Sequence, residues 1–239
     1  RILQINTIHS LWEPYPEIAE KLNEEPNRSL KLIFEYIDNY ALKNVDKVVV
    51  NSDDLKNYLI KKRKITSNKI NVVNHFSPFI KSNYEPNYEL NNIFYAGNTG
   101  RPQNLSAFLR YFDKYFPSDW KLDIYGAGQE FNNLSQFTNK NIRINNYQER
   151  KKLENLTKDI PFALISLDYE ITFEGFPGKT FDYLNMNKVL INFSNPNSVV
   201  SKLIDKYGLG FNIDSNDPES LKGKLEDMKS SNEISKILE

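Results

Sequence analysis

The chain has 239 residues, 39% hydrophobic and 13% aromatic, which is enough apolar material for one or two cores. Basic and acidic residues number 31 each, so no strong field draws nucleic acid or a membrane surface. There is no cysteine, which excludes disulfides and thiol nucleophiles, and no apolar run approaches a membrane span.

In chain order, hydrophobic periodicity predicts a strand over residues 1–8 and helices over 15–22 and 30–42. A buried strand over 47–50, a helix over 53–61 capped by Ser52, and a strand over 69–73 follow. Residues 78–90 are polar and aperiodic and read as a linker, which divides the chain into 1–77, 78–91 and 92–239. Residues 92–96 form a strand-like run ending at Gly97. The loop Asn98-Thr99-Gly100-Arg101 and an amphipathic stretch over 105–116 come next. Residues 120–125 alternate like a strand and close on Gly126-Ala127-Gly128, where glycine permits a tight turn and close approach of backbone to a ligand. A strand over 142–144 leads to Asn145-Asn146-Tyr147, and a β-branched and aliphatic run over 161–167 reads as a buried parallel strand. Helical spacing over 180–186 precedes a strand at 189–193, a helix at 199–206 and a last strand at 208–213. A terminal helix is predicted from Asp217-Pro218-Glu219, capped by Asp217 or Asn216. This alternation predicts an α/β fold with doubly wound parallel sheets.

The most informative stretch is Glu174-Gly175-Phe176-Pro177-Gly178-Lys179-Thr180-Phe181-Asp182-Tyr183-Leu184, between a predicted strand and a predicted helix. It sets two carboxylates eight positions apart around a glycine turn. A helix N-terminus beside a lysine suits a phosphate or diphosphate, and a carboxylate there suits sugar or ribose hydroxyls. The plain alternative is acidic residues favouring a helix dipole, with Pro-Gly as a turn.

This run resembles the donor-site signature of the retaining glycosyltransferase family 4, whose fold is GT-B and whose two glutamates are separated by seven residues. Glu174 with Gly175, Phe176 and Pro177 fits its first half, and Asp182 stands where the second glutamate would be. The resemblance implies that Glu174 contacts the donor sugar and Asp182 the ribose. It also implies that Lys179, with the amides near Gly178 and Thr180, contacts the diphosphate. Asn98 and Asn104 occupy positions where the family often has an arginine and a lysine, leaving Arg101, beside Gly100, as the second cation. The family's Gly-x-Gly loop, here Gly126 and Gly128, borders the nucleotide. A histidine at the end of the first strand, here His9, contacts the sugar or acceptor near the reaction centre. Without the resemblance, His9 reads as a loop cap, and His75 reads as structural. Neither lies near a cysteine or second histidine, so no metal site is expected. Trp12 reads as an acceptor platform or a packed loop, and Glu35 as a family helix glutamate or a solvated residue.

The implied architecture is two Rossmann-like domains, the first incomplete: residues 1–77 look like the later half of an amino-terminal domain, and the chain starts with Arg. A fragment, or a native short partner subunit, would account for this. The implied activity is retaining transfer of a sugar from a UDP- or GDP-linked donor to a glycan or lipid-linked acceptor in the cytoplasm, with no cofactor or metal. The alternative is a nucleotide-sugar-binding partner or regulatory subunit with little activity alone. The basic run Lys61-Lys62-Arg63-Lys64 reads either as a contact with anionic lipid or as a solvated helix end.

Overall fold

The computed structural model describes residues 5–24, 27–74, 77, 84–221 and 223–238. Contacts divide the chain into two units, one of residues 1–75 with 170–176, the other of 76–169 with 177–239. This differs from the expected boundaries, because the segment 170–176 groups with the first unit. Of the expected linker, residues 78–83 lie outside the described residues. Its second half is tied into the second unit, where Tyr88 donates to the Asn187 carbonyl (2.7 Å) and the Asn87 amide to the Asp159 carbonyl (3.1 Å).

The first unit runs β1 (Ile8–Leu11), α1 (Glu17–Lys21), α2 (Arg28–Asn44), β2 (Lys47–Val50), α3 (Asp53–Lys61) and β3 (Ile70–Val72), a parallel sheet ordered β1-β2-β3. Its core is Leu11, Leu42, Val48, Val50, Leu55, Leu59, Ile65 and Ile70. Ser52 caps α3 as expected, its hydroxyl accepting from the Leu55 amide at 3.2 Å. Strand β1 begins where the predicted strand ends, since pairing with β2 runs from Ile8 to Leu11. Residues 1–4 lie outside the described residues.

Helix α2 packs inward by its polar side. Lys31 pairs with Glu20, Asp38 lies 3.6 Å from Arg63, and Leu42 is its one buried apolar residue among those described. Leu30, Ile33, Phe34 and Ile37 repeat at helical spacing on the other side, and all are exposed. Arg63 is itself buried: its Nε and Nη2 donate to the two carboxylate oxygens of Glu17 at 2.9 Å each. The basic run at 61–64 therefore presents a broken charge pattern.

The second unit runs β4 (Asn92–Asn98), α4 (Leu105–Tyr115), β5 (Lys121–Ala127), α5 (Phe131–Leu134), β6 (Ile142–Asn146), α6 (Arg150–Thr157), β7 (Phe162–Ser166), α7 (Lys179–Asn185), β8 (Val189–Ser194), α8 (Val199–Tyr207), β9 (Gly210–Asp214), α9 (Lys224–Lys229) and α10 (Ser231–Leu238). Its six parallel strands are ordered β6-β5-β4-β7-β8-β9. One face is covered by Leu105, Phe108, Leu109 and Phe112 of α4, which meet Ile93, Tyr95, Leu122 and Ile124 from the strands. The expected single terminal helix is a 3₁₀ turn (Pro218–Leu221) followed by α9 and α10. Asp217 caps the turn through the Glu219 amide at 3.0 Å. Helix α6, whose apolar residues are Leu153 and Leu156, was not among the predicted elements. Among the described residues no helix is long and apolar enough to cross a membrane.

Candidate functional site

Strand order reverses between β4 and β7, with β5 and β6 on one side and β8 and β9 on the other. The two central strands pair only at Ile93 with Phe162 and at Phe94 with Ala163, and then separate. In an open doubly wound sheet, ligands bind at such a reversal, beyond the carboxyl ends of the strands. Helix α7 enters here. Its residues Lys179 and Tyr183, one turn apart, both reach β4.

The Lys179 ammonium lies 3.7 Å from the centroid of the Tyr95 ring and against Gly97, where an added Cβ would stand 3.0 Å from it. Gly97 has φ +135°, where a side chain would be strained, and a Cβ there would also crowd the tip of Lys179. The ammonium is shut off from solvent and, among the described residues, has no hydrogen-bond partner. Burial without a counter-charge pulls its pKa down to about 7. The hydroxyls of Thr99 and Thr180 are likewise buried without partners. Beside Gly97 a cavity of about 240 Å³ is lined by Ala96, Tyr125, Tyr147, Arg150 and Leu153. Tyr147 is 65% exposed, a flat aromatic surface at the mouth.

The loop after β4 is built around these groups. Asn98 ends the strand, its carbonyl accepting from the Tyr95 hydroxyl. The Gly100 amide donates to Gln103 Oε1 at 3.0 Å, closing a 3₁₀ turn over Arg101–Gln103 that holds Arg101 exposed. Asn104 adopts a left-handed backbone, φ 42°, and its Nδ2 donates to Asp168 at 2.9 Å. It is thus a loop-forming residue, which accounts for an amide side chain there.

Gly126 and Gly128 have a reason to be glycine inside the protein. A Cβ on Gly126 would stand 2.6 Å from the Gly97 carbonyl oxygen, and one on Gly128, where φ is +149°, would stand 2.4 Å from Asn98 Oδ1. The glycines let this loop pack on the one after β4.

Contacts divide the central motif: Glu174, Gly175 and Phe176 group with the first unit, and Pro177, Gly178, Lys179, Thr180 and Asp182 with the second. Glu174 is 1% exposed, and its Oε2 accepts from the Thr172 amide (2.8 Å), the Thr172 hydroxyl (3.3 Å) and the Phe173 amide (3.0 Å). Asp182 accepts from the Ser77 hydroxyl at 2.6 Å. The expectation of free amides at the start of α7 is corrected in part. The Thr180 amide donates to the Pro177 carbonyl (3.0 Å) and the Phe181 amide to the Gly178 carbonyl (3.1 Å).

His9 is half-buried inside β1, opposite Val48, rather than at the strand's end, because the ladder continues to Leu11. Burial raises the pKa of Asp38 against the pull of Arg63 and His9. Trp12 is 43% exposed, its indole donating to Ser10. His75 lies outside the described residues. Among the described residues no three histidines or carboxylates gather as a metal site. Sequence reasoning missed Tyr95, Thr99 and Tyr183. Of these, only Tyr183, four residues after Lys179, carried a readable signal.

No protein-family model and no curated protein matches the chain. Solved structures do match it. TarM aligns with a TM-score of 0.66 at 12% identity, over 84% of this chain and 41% of TarM. A glycosyltransferase from Rickettsia africae ESF-5 aligns at 0.59 and 16% identity, over 97% of this chain and 69% of its own. The pneumococcal O-GlcNAc transferase GtfA, solved with UDP and GlcNAc, aligns at 0.52 and 16% identity, over 83% of this chain and 39% of its own. The fold, with parallel sheets of three and six strands, is that of GT-B glycosyltransferases. The chain spans less than half the length of TarM and of GtfA.

Proposed function

We propose that this chain binds a nucleotide-diphosphate sugar at the β4–β7 reversal and belongs to a retaining glycosyltransferase acting on a glycan or lipid-linked acceptor. The observation that carries this reading is the Lys179 ammonium, buried and without an acceptor at the place where a doubly wound sheet takes its ligand. An unpaired buried cation calls for an anion, and the aromatic cavity next to Gly97 offers a base a stacking surface at Tyr147. A similar protein, S. aureus TarM, has been solved with UDP, which supports a uridine donor as the first to try.

In this reading Lys179, with Arg101, stabilises the negative charge that grows on the departing nucleoside diphosphate. Asp182 holds the ribose hydroxyls. Glu174 holds the donor sugar through Oε1, which takes no part in the three bonds its Oε2 accepts. His9 serves the acceptor side. Loss of the leaving group and attack by the acceptor hydroxyl on the same face of the sugar would preserve the anomeric configuration. The acceptor proton would pass to the departing phosphate oxygen.

The test is calorimetric titration of the chain with UDP and with GDP, alongside Lys179→Ala and Glu174→Ala. The expected result is saturable binding of one nucleotide, weakened at least ten-fold by the lysine change, the scale of a lost charged hydrogen bond. Absence of binding by the folded chain would overturn the reading.

The second reading, a binding or regulatory partner with little activity alone, is favoured by one observation. Asn98 and Asn104 leave the loop after β4 with Arg101 as its one cation, and Asn104 is taken up by Asp168. Nucleotide binding with no sugar transfer by the chain alone, and transfer restored when a companion glycosyltransferase is added, would select it.

A further inference from the structure

Resting on the nucleotide site above, we propose that Tyr183 is a positioning residue of that site: its hydroxyl fills the gap that opens where β4 leaves β7, and so fixes the helix that carries Lys179. Strand β4 stays paired with β5 as far as Asn98, but its ladder with β7 stops at Phe94. Two residues on, the Ala96 amide donates to the Tyr183 hydroxyl at 2.8 Å, and the same hydroxyl donates to the Ala96 carbonyl at 3.1 Å. One oxygen thus acts as acceptor and donor, as a neighbouring strand residue would.

The rest of the side chain is built for this place. Tyr183 is 2% exposed, and its ring meets Phe94 edge-on with centroids 5.1 Å apart. Burial, reinforced by the Asp182 charge, raises its pKa, so the phenol keeps the proton it donates. Lys179 and Tyr183 are spaced i and i+4 and share a face of α7. Anchoring one against Ala96 sets the other against Tyr95 and Gly97, on either side of the same short stretch of strand.

Tyr183→Phe keeps the ring packing and removes only the hydroxyl, leaving both main-chain groups of Ala96 without a partner. In the full chain, amide hydrogen exchange at Ala96 is expected to accelerate by about ten-fold, and the Kd for UDP or GDP to rise by about ten-fold, the scale of one lost buried hydrogen-bond partner. The pH midpoint of nucleotide binding is expected to move as well, because Lys179 sits differently. A purely packing role for the ring would move none of these. A chain with 3-fluorotyrosine at position 183, which folds with both bonds but a weaker acceptor, is expected to lie between the two. Wild-type affinity, pH profile and Ala96 protection in Tyr183→Phe would overturn the inference and leave the nucleotide site standing. Absence of nucleotide binding by the wild type would overturn the site itself.

Discussion

The Lys179 ammonium faces the Tyr95 ring at 3.7 Å and, among the described residues, touches no hydrogen-bond acceptor. The ring attracts the cation but replaces only part of the hydration it has lost. The consequence is a stability that depends on pH. Unfolded, a lysine holds its proton to a pKa of about 10.4; folded, Lys179 holds it to about 7. Between these values the unfolded chain binds more protons, so raising the pH stabilises the native state, by up to about 1.4 kcal/mol per pH unit. Below the folded value both states are charged and the contribution is flat. Urea unfolding of wild type and Lys179→Met at pH 7 and pH 9 checks this, the variant being more stable at pH 7 and the gap narrowing at pH 9. An unchanged gap would count against a neutral lysine.

Gly128→Ala is expected to destabilise the second unit by about 2–3 kcal/mol, from the positive φ together with contact at Asn98. Because the clash is with protein, the loss of Tm is expected with or without nucleotide. A variant that melts normally but fails to bind would instead assign Gly128 to the ligand.

Arg63→Met tests the first unit. Burial alone would raise the pKa of Glu17, but hydrogen bonds from Arg63 and Tyr58 hold it below the usual carboxylate value. Removing the guanidinium strands a buried carboxylate, at a cost of about 3–5 kcal/mol. Chemical denaturation followed by fluorescence of Trp12 in a Trp120→Phe background is expected to show a lower midpoint. Glu17→Gln combined with Arg63→Met is expected to recover part of the loss.

Lys188 closes the carboxyl end of α6, its ammonium donating to the carbonyls of Thr157 (2.7 Å), Lys158 (3.0 Å) and Ile160 (2.8 Å). Lys188→Met leaves three acceptors short and is expected to cost about 2–3 kcal/mol. Thermal melting reads this directly, and a Tm within a degree of wild type would mean that solvent takes over the carbonyls.

Much of the fold was legible because its signals are local. The alternation over β5, the continuous apolar runs of β7 and β8, the stripe of α4 and the Ser52 cap each lie within one short window of sequence. Of the candidate site, the motif at 174–184 was legible as one short run, and the structure sets its Lys179 beside β4 at the strand reversal. What escaped depends on partners distant in sequence. Nothing near Tyr95 indicates that Lys179 will rest on it, and nothing near Ala96 indicates that β7 will turn away and leave Tyr183 to take its place. Gly126 and Gly128 were visible as glycines, but only the second loop packed against them explains why. Strand β1 was displaced because Ile5 and Ile8 read as strand while the pairing that defines it lies with Val48 and Val50.

The outward apolar face of α2 bears on how the chain behaves at high concentration. Leu30, Ile33, Phe34 and Ile37 face solvent on a molecule whose formal charge sums to zero at pH 7. Greasy contacts between molecules are then opposed by no long-range repulsion. Solubility should pass through a minimum near neutrality, improve as the pH moves away on either side, and fall further in salting-out anions such as sulfate.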